Sequence, residues 1–186
     1  MQQLVPIRGA RPDDALGIAT AQVVSWQATY AYGLNADYLA SLSGEGWAPR
    51  HRARLENPDH PAAYFVAVDG DDIVGFCMYG PARPDGNNIP ETLGAIAEVY
   101  ALYVLPTAIG RGLGARLLAA ARDDLLRRGA TDLLLWVMEG NHHAIAFYAR
   151  QGLPLDGERK EDGWDAAGFW IDLRCSAPLV EVCPRV

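Results

Sequence analysis

The sequence predicts one α/β domain built around a mixed sheet, and three observations carry that prediction. A strand comes first, then helices, then strands and helices mixed, with no linker, repeat or low-complexity tract between them. Asp69-Gly70-Asp71 stands between two apolar runs, which is a hairpin signal. The apolar run after Glu98 stops at Pro106 and is followed by Gly110, Gly112 and Gly114 and then an amphipathic stretch. That order reads as strand, stop, tight turn and helix start.

The elements follow in order. Residues 4–10 read as a short strand. Pro12-Asp13-Asp14 opens a helix with a proline and with carboxylates near the positive end of the helix dipole. That helix carries Ile18, Ala21, Ser25, Trp26 and Thr29 and stops near Tyr32-Gly33. A second helix is expected over 36–42, and a third, polar and Arg-rich, over 46–56, closed by Asn57-Pro58. Residues 63–68 and 72–80 are the hairpin strands, and 81–90 an exposed loop rich in Pro, Gly and Asn. The central strand covers 94–105. The helix after the glycines shows Leu118, Ala121 and Leu125 on one stripe and ends at Arg127-Arg128-Gly129. Residues 132–138 are nearly all apolar, so that strand is expected to be buried on both faces. A short helix over 141–151 ends at Gly152, and strands over 155–159 and 167–174 close the fold. Residues 1–175 are read as a single domain and 176–186 as a tail.

Bulk composition narrows the function. The 186 residues suffice for one domain with a real core, half of them are hydrophobic, and the formal charge is -7. An acidic chain lacks the basic face that nucleic acid requires, whereas a cationic substrate such as an amine suits it. Cys77, Cys175 and Cys183 are widely spaced, with no Cys-x-x-Cys pair. This favours a reducing compartment over a disulfide framework. The opening residues hold no apolar run of signal-peptide length, and no segment reaches the roughly 20 apolar residues of a membrane span. The expectation is a cytoplasmic protein with neither membrane nor nucleic acid as partner.

The glycine turn aims several backbone N–H groups and the positive end of a helix dipole at one point, a natural site for phosphate. Three alternating glycines at a helix start exceed what a ligand-free turn needs. A dinucleotide fingerprint matches formally through Gly110, Gly112 and Ala115, but about a hundred residues precede it and too few follow for the remaining βαβ units. No Gly-Lys-[Ser/Thr] supports a nucleoside triphosphate loop.

Val104-Leu105-Pro106-Thr107-Ala108-Ile109-Gly110-Arg111-Gly112-Leu113-Gly114 resembles motif A of the GNAT superfamily of N-acetyltransferases, whose core is [Arg/Gln]-x-x-Gly-x-[Gly/Ala]. The stretch from Asn141 through Ala144, Phe147 and Tyr148 to Gly152-Leu153 resembles the second signature of that family. The two lie in the right order and at the right separation, and the good match covers residues 94–153. Ile109 stands where the family usually has Arg or Gln, so Arg111 or Arg116 is left to supply charge.

The resemblance implies a GNAT-like, mostly antiparallel sheet of six or seven strands with splayed central strands and about four helices. It implies transfer of an acetyl group from acetyl-CoA to a primary amine of a small molecule, by direct attack in a ternary complex. A non-catalytic acyl-CoA sensor is the alternative. The amides of Gly110, Arg111, Gly112, Leu113, Gly114 and Ala115 would hold the pyrophosphate. The main chain of Leu102, Tyr103 and Val104 would pair with the pantetheine arm, with an N–H near Leu102 or Tyr103 facing the oxyanion. Asn141 and Phe147-Tyr148 would meet the arm from the other side. Members of the family often form dimers, so a homodimer is compatible with this reading.

The chemistry names further residues. An alkyl ammonium, with a pKa of about 10.4 like lysine, must lose a proton before it attacks. Glu98, a carboxylate in an apolar strand, is the candidate base, and strict alternation puts it on one face with Tyr100, Leu102 and Val104; a salt bridge is its structural alternative. Tyr148, a phenol with an ordinary pKa of about 10, suits protonation of a departing thiolate. Trp26 and Tyr30, four apart on a helix, are expected to share an aromatic acceptor wall with Tyr79 and Tyr100. His142-His143 are adjacent and diverge, so no metal site is expected. Cys77 lacks a His partner, so no acyl-cysteine step is expected.

Overall fold

The Asp-Gly signal marks a real hairpin. In the computed structural model, which describes residues 4–84 and 88–179, β2 (Ala63–Asp69) and β3 (Asp72–Pro81) pair antiparallel around Gly70, which has φ of +64°. The other strands are β1 (Ile7–Gly9), β4 (Ile96–Val104), β5 (Asp132–Met138), β6 (Leu155–Trp164) and β7 (Gly168–Pro178). They form one seven-stranded sheet in the order β1-β2-β3-β4-β5-β7-β6. Among the described residues only β4 and β5 pair in parallel. They are joined by α4 (Leu113–Arg127), the crossover a parallel pair requires.

The helices are α1 (Ala15–Thr29), α2 (Ala36–Ser41), α3 (Gly44–Glu56), α4 and α5 (His142–Arg150), five where about four were expected. Alternate strand residues sort to the two faces. Cys77, Tyr79, Ala97 and Val99 pack beneath α4, whose Leu113, Leu117, Leu118, Ala121 and Leu125 are all buried. Each such leucine contributes about 1.5–3 kcal/mol of transfer free energy. Tyr64, Val66, Phe76 and Met78 pack against Ile18 and Ala21 of α1 on the other face.

The closing strands extend past their expected ends. β6 runs to Trp164 through the charged stretch Glu158–Asp162, which suits the edge of a sheet. β7 carries Ser176, Ala177 and Pro178 into register with β5, so the first residues assigned to the tail are strand. Residues 180–186, including Cys183, lie outside the described residues. Cys77 and Cys175 are buried free thiols. Among the described residues no helix is long and apolar enough to cross a membrane.

Two irregularities in the centre of the sheet create the site. Met78 pairs with Ala101 but Tyr79 pairs with Val99, so Tyr100 is an extra residue, a β-bulge. The β4–β5 ladder covers only Ile96–Val99 against Asp132–Leu135. Beyond Val99, β4 pairs with β3 alone and β5 with β7 alone, so the two parallel strands part.

Candidate active site

At the foot of the gap the chain leaves β4 through a 3-10 turn, Pro106–Ala108, and enters α4. Gly110 and Gly112 have φ of +84° and +73°, and a Cβ built on either would meet open space. Gly112 is the left-handed N-cap of α4, where a side-chain cap would otherwise sit. Arg116 N–H returns to the Gly112 carbonyl. Among the described residues no side chain caps the helix, and no loop carbonyl accepts from the N–H groups of residues 110–115. Several unfilled donors at a helix start fit a polyoxygen anion. Leu113 contributes its N–H only, because its side chain is core. At Gly114 a Cβ would lie 3.4 Å from the Phe147 ring, so the small residue lets the start of α4 approach α5. Arg111 pairs with Asp69 at 2.7 Å, and Ile109 is 56% exposed.

Above the turn, the β4 edge faces the gap. Leu105 N–H donates to the Val74 carbonyl, so alternation gives Tyr103 and Ala101 to the β3 ladder. The N–H and C=O of Leu102 and the N–H of Val104 therefore point into the gap, whereas the main chain of Tyr103 does not. The Val104 carbonyl accepts from Ser25 Oγ at 3.3 Å. Asn141 caps α5 by accepting the Ala144 N–H at 3.1 Å. Tyr148 is buried with its ring 5.1 Å from that of Phe147. Burial pushes its phenol pKa up, so it keeps its proton at neutral pH.

A cavity of about 170 Å³ opens on the α1 face of the splay. Trp26 and Tyr30 line it, with rings 5.5 Å apart and edge to face. Tyr100 and Tyr103 add to the wall, and Tyr30 Oη lies 3.4 Å from Tyr103 Oη. Tyr100 donates from Oη to the Pro81 carbonyl under the Arg83 guanidinium.

Two expectations are corrected. Tyr79 does not reach the cavity. It lies on the α4 face, stacked on Phe65, and donates to Asp124 Oδ2 at 2.9 Å. Glu98 does not share a face with Leu102 and Val104, because the bulge at Tyr100 reverses the alternation and sends those two toward α4. Glu98 lines the cavity, but Arg83 donates to both its oxygens, from Nη2 and Nε to Oε1 and from the backbone N–H to Oε2 at 2.9 Å.

The cavity also holds residues that sequence reasoning missed: Arg83, Trp136, Lys160, Asp162, Trp170 and Asp172. Trp136 was absorbed into the supposed doubly buried strand. Burial pushes the Asp172 carboxyl up to about 6. A carboxylate between apolar residues in 167–174 carried the same signal as Glu98.

Comparison with known proteins follows the same lines. Residues 24–153 match the profile of the Acetyltransferase (GNAT) family. The chain is 32% identical over 187 residues to the uncharacterized N-acetyltransferase YuaI of Bacillus subtilis, covering 95% of this chain and 99% of that protein. It is 39% identical over 121 residues to a mycothiol acetyltransferase of Geodermatophilus obscurus, a match that spans 63% of this chain and only 38% of that protein. Among solved structures it is similar to the PaiA N-acetyltransferase of Thermoplasma acidophilum in complex with coenzyme A, with a TM-score of 0.71, 18% identity and coverage of 95% and 99% of the two chains. A second similar fold is YncA, a putative acetyltransferase of Salmonella typhimurium with acetyl-CoA, with a TM-score of 0.68, 18% identity and 99% of each chain covered.

Proposed function

The chain belongs to the GNAT family of acetyltransferases, and from that premise we propose that it moves an acetyl group from acetyl-CoA to a primary amine of a small molecule, by direct attack in a ternary complex. One observation carries the reading: β4 and β5 part beyond Val99 immediately above the unfilled amides of residues 110–115. A strand edge ending in a nest of donors suits a long ligand with a diphosphate at one end. When bound, acetyl-CoA supplies an activated thioester.

The residues then divide the work. The amides of Gly110, Arg111, Gly112, Leu113, Gly114 and Ala115 hold the diphosphate. Leu102 and Val104 offer main-chain groups along the gap, and the Leu102 N–H is the donor placed for a developing oxyanion. Asn141 and Phe147 bound the gap on the α5 side. Tyr148 holds a proton at Oη for the departing thiolate. Trp26, Tyr30 and Tyr100 wall the acceptor cavity, whose volume suits a small molecule better than a folded protein surface. Glu98 shapes that cavity through its pair with Arg83, and it reaches an amine only by exchanging those bonds.

The test is incubation with acetyl-CoA and a broad panel of amines, read by mass spectrometry. An acceptor that gains one acetyl group supports the reading. No acetylated product from any amine, with coenzyme A bound, rejects it in favour of the sensor alternative.

A further inference from the structure

The buried polar groups of the acceptor cavity are out of balance. Asp172 is 9% exposed, and its Oδ1 accepts from Trp170 Nε1 at 3.0 Å. Among the described residues none donates a hydrogen bond to Oδ2 and no cation lies within ion-pair distance of it. The cations nearby are committed elsewhere. Lys160, its cross-strand partner, reaches Asp162 Oδ2 at 3.2 Å and sits 4.6 Å above the Trp136 ring. Arg83 is held by Glu98. Across the same cavity the buried Trp26 Nε1–H has only the Tyr103 hydroxyl near it and makes no well-formed hydrogen bond among the described residues. A largely buried carboxylate on which Lys160 and Arg83 act only from a distance is unfavourable in the free protein, and together with the poorly satisfied tryptophan donor it marks a place that a ligand completes.

We propose that Asp172 receives the ammonium of the acceptor and takes its proton, and that the acceptor is a small organic cation whose apolar part lies against Trp26, Trp136 and Trp170. This rests on the N-acetyltransferase reading of the site. The overall conversion of an ammonium and a thioester to an amide and a thiol releases one proton. Asp172 accepts it when an N–H bond of the ammonium breaks, and the electron pair left on nitrogen forms the bond to the acyl carbon. The C–S pair leaves with sulfur, which takes the Tyr148 proton, and the second proton lost by nitrogen replaces it.

The position is suited to this. Tyr30 and Tyr103, whose hydroxyls pair, line the cavity with Asp172, and Tyr103 lies within electrostatic range of both Asp172 and Tyr148. Aromatic faces favour a cation beside the carboxylate. Burial, the largest cause, raises the carboxyl pKa to about 6, near working pH. The groups that face Asp172 are Tyr30 and Tyr32 at the end of α1, Tyr103 on β4, Lys160 and Asp162 on β6, and Arg83 in the β3–β4 loop.

The test titrates the full chain, free of acetyl-CoA, with 2-phenylethylammonium and with uncharged 2-phenylethanol, read by the fluorescence of the cavity tryptophans. Wild type is expected to bind the ammonium at least about tenfold more tightly than the alcohol, and to lose that preference as pH falls below about 6. Asp172→Asn, shown folded by its thermal transition and by unchanged coenzyme A affinity, should lose the preference at every pH, and Asp172→Glu should recover part of it. A wild type with no preference, or an Asp172→Asn variant that keeps it, overturns the proposal. Failure of the acetyl-transfer reading looks different: ammonium binding still depends on Asp172, but no amine is acetylated.

Discussion

Arg83 and Glu98 form a pair that ties the β3–β4 loop to the start of β4, with the Glu98 carboxylate 1% exposed and the guanidinium 23% exposed. Removing the cation leaves a buried charge uncompensated. Arg83→Met is expected to destabilise the fold by about 3–5 kcal/mol, and a paired Arg83→Met, Glu98→Leu change by much less. Chemical denaturation of the single and double variants measures this. Equal losses in both would show that packing, not charge, holds the loop.

The glycine turn makes its own prediction. Gly112 has φ of +73° with open space around its missing Cβ, so Gly112→Ala costs only the left-handed conformation, about 1–2 kcal/mol. Gly112→Asp adds a carboxylate among the donors and is expected to weaken coenzyme A binding by about a hundredfold or more, since it competes for the same positive potential. Ile109→Arg, which adds a charge at an exposed position, should strengthen binding severalfold. Calorimetric titration with acetyl-CoA reads all three.

Tyr148→Phe removes one hydroxyl that makes no hydrogen bond among the described residues, from a side chain that is itself buried. Stability should change by less than about 1 kcal/mol. Turnover should fall by about a hundredfold, with the KM for acetyl-CoA unchanged within about twofold. A variant with wild-type kcat removes Tyr148 from the proton transfer.

Two buried groups set opposing pH dependences. His51 lies between Gln22 Oε1 at 3.0 Å and Tyr64 Oη at 3.3 Å, and burial lowers its pKa from 6.5 to about 4. The unfolded chain binds that proton first, so stability is full above pH 6.5 and falls by roughly 3 kcal/mol as pH drops to 4. Asp172 has the opposite sign. With a folded pKa of about 6 against 3.8, its destabilisation is absent below pH 3.8 and grows to roughly 3 kcal/mol above pH 6. Asp172→Asn should therefore raise Tm at pH 7 and lose that advantage by pH 4. An advantage independent of pH would contradict the assignment.

The parts of the site legible in the sequence were those set by neighbours along the chain. Pro106 ends a strand, Gly110 and Gly112 adopt positive φ, and Trp26 with Tyr30 falls on one helical face. The parts that were not legible depend on pairing. An extra residue at Tyr100 is defined only against β3, and it separated Glu98 from Leu102 and sent them to opposite faces. Tyr79 reads as well for one face as for the other until its register with Val99 is known. Asp172 looked like one strand carboxylate among several until β7 was found inserted between β5 and β6.

The amino-acid sequence thus determined the strand–turn–helix that presents donors to an anion, because backbone dihedrals and helix caps are decided by residues within a few positions of one another. Tertiary structure decided which side chains meet in the acceptor cavity and which carboxylate stands there without a cation at ion-pair distance. Those outcomes follow from strand order and register, which are set by contacts between residues far apart in the chain, where one added residue turns a side chain to the opposite face.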